Sequence, residues 1–166
     1  MLKNYLTEYW QQIAGEITTV LEECRVPPMA AEMVEYQLQS GGKRVRPVLA
    51  MLVEDAYRKE VSRTLPFAAA VELIHNASLV HDDLQDEDEL RRDRPPIWKA
   101  FSTPQAITLG DLIFTLAFKL FDHLPIPAEK KFVITQLGLD CVAALVAGQM
   151  LELHFKAAKS YTEPEY

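Results

Sequence analysis

Cysteine is nearly absent from this chain of 166 residues: Cys24 and Cys141 stand far apart and form neither a disulfide framework nor a zinc-binding spacing. Two isolated thiols point to a reducing compartment, and the expectation is a cytoplasmic protein. Positive charge is in short supply too. Against 24 Asp and Glu stand 17 Lys and Arg, a formal net charge of −7, so the basic footprint on which nucleic-acid binding rests is missing. The segment Met1 to Trp10 lacks an apolar stretch and carries Lys3, Asn4 and Glu8, which argues against a secretory signal. The longest apolar run, Ala106 to Phe121, is interrupted by Asp111 and Lys119. A membrane helix rarely tolerates two such charges, and no transmembrane segment is expected. Sustained strand alternation is also missing, which leaves an all-α fold.

What remains is the composition of one globular domain, 49% hydrophobic and 25% charged, long enough to bury roughly 70% of its unfolded surface. Residues 1–166 are read as a single domain. Periodicity and breakers predict helices over Tyr5 to Cys24, from Pro27 and Pro28 to Gln39, and, beyond Gly41 and Gly42, from a first-turn Pro47 to Lys59. A long helix follows from Pro66 to Asp86, then a loop from Glu87 to Ser102. Thr103 as N-cap, with Pro104 behind it, opens a helix that Pro125 and Pro127 end by His123 or Leu124, and a last helix covers Ala128 to Ala158. Long helices joined by short connectors make a helical bundle. Thr162 to Glu165 has the form of a capping box and announces a further helix.

Charge is unevenly spread. Lys43, Arg44 and Arg46 form one basic cluster and Arg91, Arg92 and Arg94 another, while acids crowd between Asp82 and Glu89. Residues four and seven apart share a helix face, so His75, Ser78, Asp82 and Asp86 form one stripe with Asp83 alongside. Carboxylates one turn apart repel by about a few tenths of a kcal/mol, and a divalent cation between them resolves the repulsion. Oxygen ligation with positions left for water and phosphate suits Mg²⁺ better than zinc. The pair His81-Asp82 is also found in metal-binding helical phosphohydrolases, but no other His or Asp stands at a helpful spacing here. Cationic side chains beside an acidic metal stripe are what a diphosphate requires, since guanidinium forks grip its oxygens bidentately and lysine adds a point charge.

The segments Gly41-Gly42-Lys43-Arg44-Val45-Arg46-Pro47, Leu73 to Asp86 and Leu90-Arg91-Arg92, in that order and spacing, resemble the trans-polyprenyl diphosphate synthases. Leu109-Gly110-Asp111 and Gly148 to Leu153 are similar to further signatures of that family. The resemblance implies a helical bundle of the isoprenoid synthase type, of which this chain would be the N-terminal half. It implies a prenyltransferase that condenses an allylic prenyl diphosphate with isopentenyl diphosphate, working as a homodimer or hetero-oligomer. Carried over residue by residue, it puts Mg²⁺ on Asp82 and Asp86 with Asp83 supporting, and the allylic diphosphate on Arg91. The diphosphate of isopentenyl diphosphate falls to Lys43, Arg46, His75 and Arg92, and Gln149 stands near the reacting allyl group.

Two departures are visible: Asp93 stands where the family has glycine, and Glu152 where it has aspartate. The family's second aspartate-rich motif would fall beyond Tyr166, so this chain alone is expected to turn over weakly or not at all. A regulatory or partner subunit that binds diphosphates without catalysis is the alternative. A terpene cyclase would share the aspartate-rich helix but has no need of Lys43, Arg46 and His75 for a second diphosphate. In the family, a pocket beneath the first aspartates sets product length. Ala77 and Ser78 are small, with Ser78 on the stripe of Asp82 and Ala77 farther round toward a neighbouring helix. Small residues there imply products longer than farnesyl diphosphate, in the range used for quinone side chains.

Overall fold

The computed structural model describes residues 2–57 and 60–158; the capping box read at Thr162 to Glu165 lies outside them. All helices and turns among the described residues are accompanied by a single isolated bridge, Arg91 to Arg94. The chain divides into two compact units, Met1–Ile126 and Pro127–Tyr166.

The first unit holds α1 (Leu2–Glu23), α2 (Pro28–Gln39), α3 (Val45–Tyr57), α4 (Leu65–Gln85), α5 (Ile97–Ala100) and α6 (Thr103–Leu120). Single 3₁₀ turns, Val61–Thr64 and Phe121–His123, precede α4 and follow α6. Helix α4 is the centre of this unit, touching α1, α3, α5 and α6. Its sequence explains why: Ala68, Ala69, Ala70 and Ala77 are fully buried, and alanines on several faces let neighbouring helices approach from several sides. Leu73 and Val80 are buried on the same helix, and Ile113, Leu116 and Leu120 of α6 and Ile13, Ile17 and Val20 of α1 are buried on helices that touch it.

The contact with α6 is the most extensive, and Gly110 makes it possible. A Cβ at Gly110 would overlap the imidazole of His81, whose Nε2 lies 3.1 Å from the carbonyl oxygen of Ile107. His81 therefore belongs to a helix contact, with the Phe114 ring 6.1 Å away, centroid to centroid. Among the described residues of this unit, four polar ones are also buried, Gln37, Glu72, Asn76 and Asp83.

Helix α2 stands where Pro28 and Gln39 predict it. The segment read as a loop from Glu87 to Ser102 contains the four-residue α5, too short to leave a periodic signal. The cap of α6 is Ser102 and not Thr103: the Ser102 hydroxyl accepts from the amide of Gln105 at 3.4 Å, which makes Thr103 the first helical residue and keeps Pro104 in the first turn.

The second unit is built on α7 (Ala128–Ala158), 31 residues with the bounds read from sequence. None of its residues is buried, and Phe132, Leu137 and Met150 are among its exposed apolar side chains. By length and composition alone, α7 and the segment Thr103–His123 are each apolar enough to cross a membrane. Of the 18-residue apolar window within Thr103–His123, 44% is buried inside the fold, as in the core helix of a bundle. Cys24 and Cys141 are free and exposed.

Candidate functional site

The loop between α2 and α3 runs through Gly41 and Gly42, both at positive φ, +83° and +131°. Gly42 is required twice over, because the Arg92 guanidinium lies where its Cβ would be. Arg92 donates from Nη1 to the carbonyl oxygen of Gly41, so the second basic cluster is drawn onto the first. The result is a cavity of about 320 Å³ lined by Gly42, Lys43, Arg44, Val45, Arg46, Glu72, His75 and Arg92. Lys43, Arg46, His75 and Arg92, drawn from three stretches of the sequence, thus line one cavity. Burial and then the Arg46 charge hold the His75 imidazole below its ordinary value, the nearby Glu72 opposing them.

Arg44 also lines the cavity, but its guanidinium is engaged by the protein itself. Its guanidinium pairs with Glu72 through Nη1 and donates to the Leu38 carbonyl through Nη2. Nothing in the spacing of the basic cluster distinguishes Arg44 from its neighbours. Glu72 carries a weak signal, an acid set between Ala68 and Leu73 in an apolar stretch of helix.

The acidic end of α4 separates into two roles. Asp82 and Asp86 lie one turn apart, the amide of Asp86 donating to the carbonyl oxygen of Asp82 at 2.8 Å, with Asp86 as the exposed C-cap. Asp83 is on another face, 1% exposed and ion-paired with Nε of Arg91. Burial raises the Asp83 carboxyl above its usual range, and the Arg91 hydrogen bond and charge pull it back. Asp83, expected alongside the stripe of Asp82 and Asp86, is thus engaged in a buried pair with Arg91. Arg91 reaches Asp88 as well, at 3.4 Å.

The loop beyond is braced. Trp98 Nε1 donates to the Asp88 carbonyl at 3.1 Å, the Tyr36 hydroxyl to the Pro95 carbonyl at 2.8 Å, and Arg94 stacks 4.3 Å from the Tyr36 ring centre. Arg92 and Asp93 both take left-handed backbone, φ 53° and 63°. Asp93, one of the few side chains that tolerate it, occupies the position where a glycine was expected.

Among the described residues no group of three or more His, Cys, Asp or Glu is set as a metal centre. Two adjacent carboxylates still fit a cation such as Mg²⁺, which keeps several waters and is held by one or two carboxylates together with substrate phosphate. Ser78 is half-buried on the stripe of Asp82, its hydroxyl donating to the His75 carbonyl at 2.8 Å, while Ala77 is wholly buried. Gln149 lies half-buried on α7, in the second unit.

A sequence profile of the polyprenyl synthetase family matches residues 27–166. The chain is 30% identical over 167 residues to the geranylgeranyl pyrophosphate synthase of Geoglobus acetivorans, covering 100% of this chain and 52% of the relative. It is 33% identical over 159 residues to the farnesyl diphosphate synthase of Bacillus subtilis, covering 92% and 54%. The crystal structure of a geranyltransferase from Legionella pneumophila superposes with a TM-score of 0.87 at 35% identity, over 99% of this chain and 61% of that one. The chain spans about half the length of the curated relatives it matches. Its helices are those of an isoprenoid synthase fold, and the chain belongs to the polyprenyl synthetase family.

Proposed function

We propose that this chain carries the diphosphate-handling part of a trans-prenyltransferase that joins an allylic prenyl diphosphate to isopentenyl diphosphate. The observation that carries the reading is the cavity that gathers Lys43, Arg46, His75 and Arg92, with His75 on the same helix that carries Asp82. Those four side chains bind the diphosphate of isopentenyl diphosphate, three as cations and His75 as a hydrogen-bonding ring. Arg91 binds the allylic diphosphate, and Asp83, buried against it, orients the guanidinium rather than a metal. Asp82 and Asp86 would hold Mg²⁺, which when bound supplies positive charge against the departing diphosphate. The allylic C–O bond breaks with its electron pair going to diphosphate. The isopentenyl double bond then forms the new C–C bond, and a proton leaves the carbon beside the resulting cation. On the family resemblance alone, Gln149 acts near the reacting allyl group.

The same proposal takes residues 1–166 as the N-terminal half of one polyprenyl synthetase domain, supported by a family profile that runs from residue 27 to residue 166. It takes the protein as cytoplasmic, working as a homodimer or with a partner subunit. Product length is proposed to exceed farnesyl. Support comes from Ser78, small and on the face of Asp82, more than from Ala77, which is enclosed by neighbouring helices.

Titration calorimetry with isopentenyl diphosphate tests the core of the reading. Arg46→Ala and His75→Ala each remove a contact worth about tenfold in affinity. Wild-type affinity in both variants would sink the assignment of this cavity.

A further inference from the structure

We propose that the buried ion pair of Arg44 and Glu72 is a latch that positions the diphosphate-binding loop, neither residue touching the ligand. The inference rests on the reading of the basic cavity as a diphosphate site. Three features of Arg44 carry it. Its side chain is only 11% exposed although it sits in a loop of exposed Lys43 and Arg46. It ties three helices together: Glu72 of α4, the Leu38 carbonyl at the end of α2, and Trp10 of α1, whose ring centre is 4.3 Å from the guanidinium carbon. Its backbone is left-handed, φ 47°, immediately before α3 begins at Val45. That conformation is unfavourable for a side chain with a Cβ and persists where surrounding contacts impose it. Here it sets the direction in which Lys43 leaves the loop and Arg46 enters the helix.

Glu72 is the more telling member. A carboxylate lining an anion cavity opposes the ligand by simple electrostatics. This one is 2% exposed and anchored from behind: Asn76 Nδ2 donates to the same Oε1 at 2.9 Å, and Gln37 Nε2 donates to Asn76 Oδ1 at 3.5 Å. A negative charge built into the cavity on a buried polar network has a use if it holds Arg44 in place. The rival account makes Arg44 a further phosphate ligand that Glu72 merely keeps occupied.

The two accounts give opposite signs for Glu72→Gln. Inorganic pyrophosphate is titrated into wild type and variant in EDTA, so that the acidic end of α4 takes no part, and amide hydrogen exchange of residues 43–46 is followed without ligand. The latch predicts pyrophosphate binding weaker by about tenfold, the equivalent of one charge-assisted hydrogen bond, although the cavity has lost a negative charge. It also predicts faster exchange confined to the loop. Equal or tighter binding by Glu72→Gln overturns it, and so does unchanged exchange. If wild type binds no pyrophosphate while the variant's loop exchanges faster, the diphosphate reading of the cavity fails and the latch stands. The pair Arg44→Met with Glu72→Leu leaves no buried unpaired charge, so it keeps the fold. It should still show the fast loop and the weakened binding; wild-type affinity in that pair overturns the proposal.

Discussion

His75 enters the cavity largely uncharged at neutral pH, because burial and the Arg46 guanidinium hold its imidazole below the ordinary value of 6.5. The folded chain takes up this proton less readily than the unfolded chain does. The stability that follows is therefore complete above about pH 6.5 and is lost as pH falls below it. Urea unfolding between about pH 7.5 and 5 should show wild type losing more stability than His75→Gln, and parallel pH profiles would contradict the assigned environment. Diphosphate binding should oppose this, since an anion favours the imidazolium. Asp82 and Asp86 make a second prediction at this scale. Either one changed to alanine removes an oxygen ligand from a cation with few protein ligands, so the Mg²⁺-dependent part of allylic diphosphate affinity should fall by more than about tenfold. Calorimetry with and without Mg²⁺ measures that part directly. The stripe of His75, Ser78 and Asp82 was legible because helix geometry fixes it from spacing alone. The partners of Asp83 and Arg44 were not, because a charge on a helix flank or in a loop meets whatever tertiary packing brings to it, here Arg91 and Glu72.

Between elements, the most extensive contact is that of α4 with α6, and at Gly110 it leaves no room for a Cβ beside His81. In Gly110→Ala the new methyl group displaces the His81 ring and breaks its hydrogen bond to the Ile107 carbonyl, a loss of about 1–3 kcal/mol. In a His81→Ala background most of that loss should disappear, and a double-mutant cycle by thermal unfolding reads the difference. Additive effects would show that the strain lies elsewhere. Prolines and glycines made most boundaries readable: Pro28 opens α2, and α7 begins just past Pro127. The misreadings were local. Ser102 and Thr103 are both good caps, and only the hydrogen bond to the Gln105 amide decides between them. The four residues of α5 are held by their neighbours, not by periodicity of their own.

For the whole molecule, a 31-residue helix with no buried residue puts a large apolar surface at the disposal of solvent or of another helix. This chain should bind anilinonaphthalene dye and self-associate as its concentration rises. A monomer in sedimentation that binds no dye would show that the apolar side chains of α7 are covered. The helical class, the family and four members of the basic cavity, Lys43, Arg46, His75 and Arg92, were visible in motif order, whereas Glu72 and the burial on each helix awaited the packing. The two tryptophans carry a different consequence. Trp10 lies under the Arg44 guanidinium and Trp98 donates its indole N–H to the Asp88 carbonyl, so one indole touches each of the two loops given to diphosphates. The chain has only these two. With Trp98→Phe or Trp10→Phe, a single emission band remains, quenched or shifted according to its own loop. The two loops can thus be followed separately by intrinsic fluorescence in stopped flow, with no label attached.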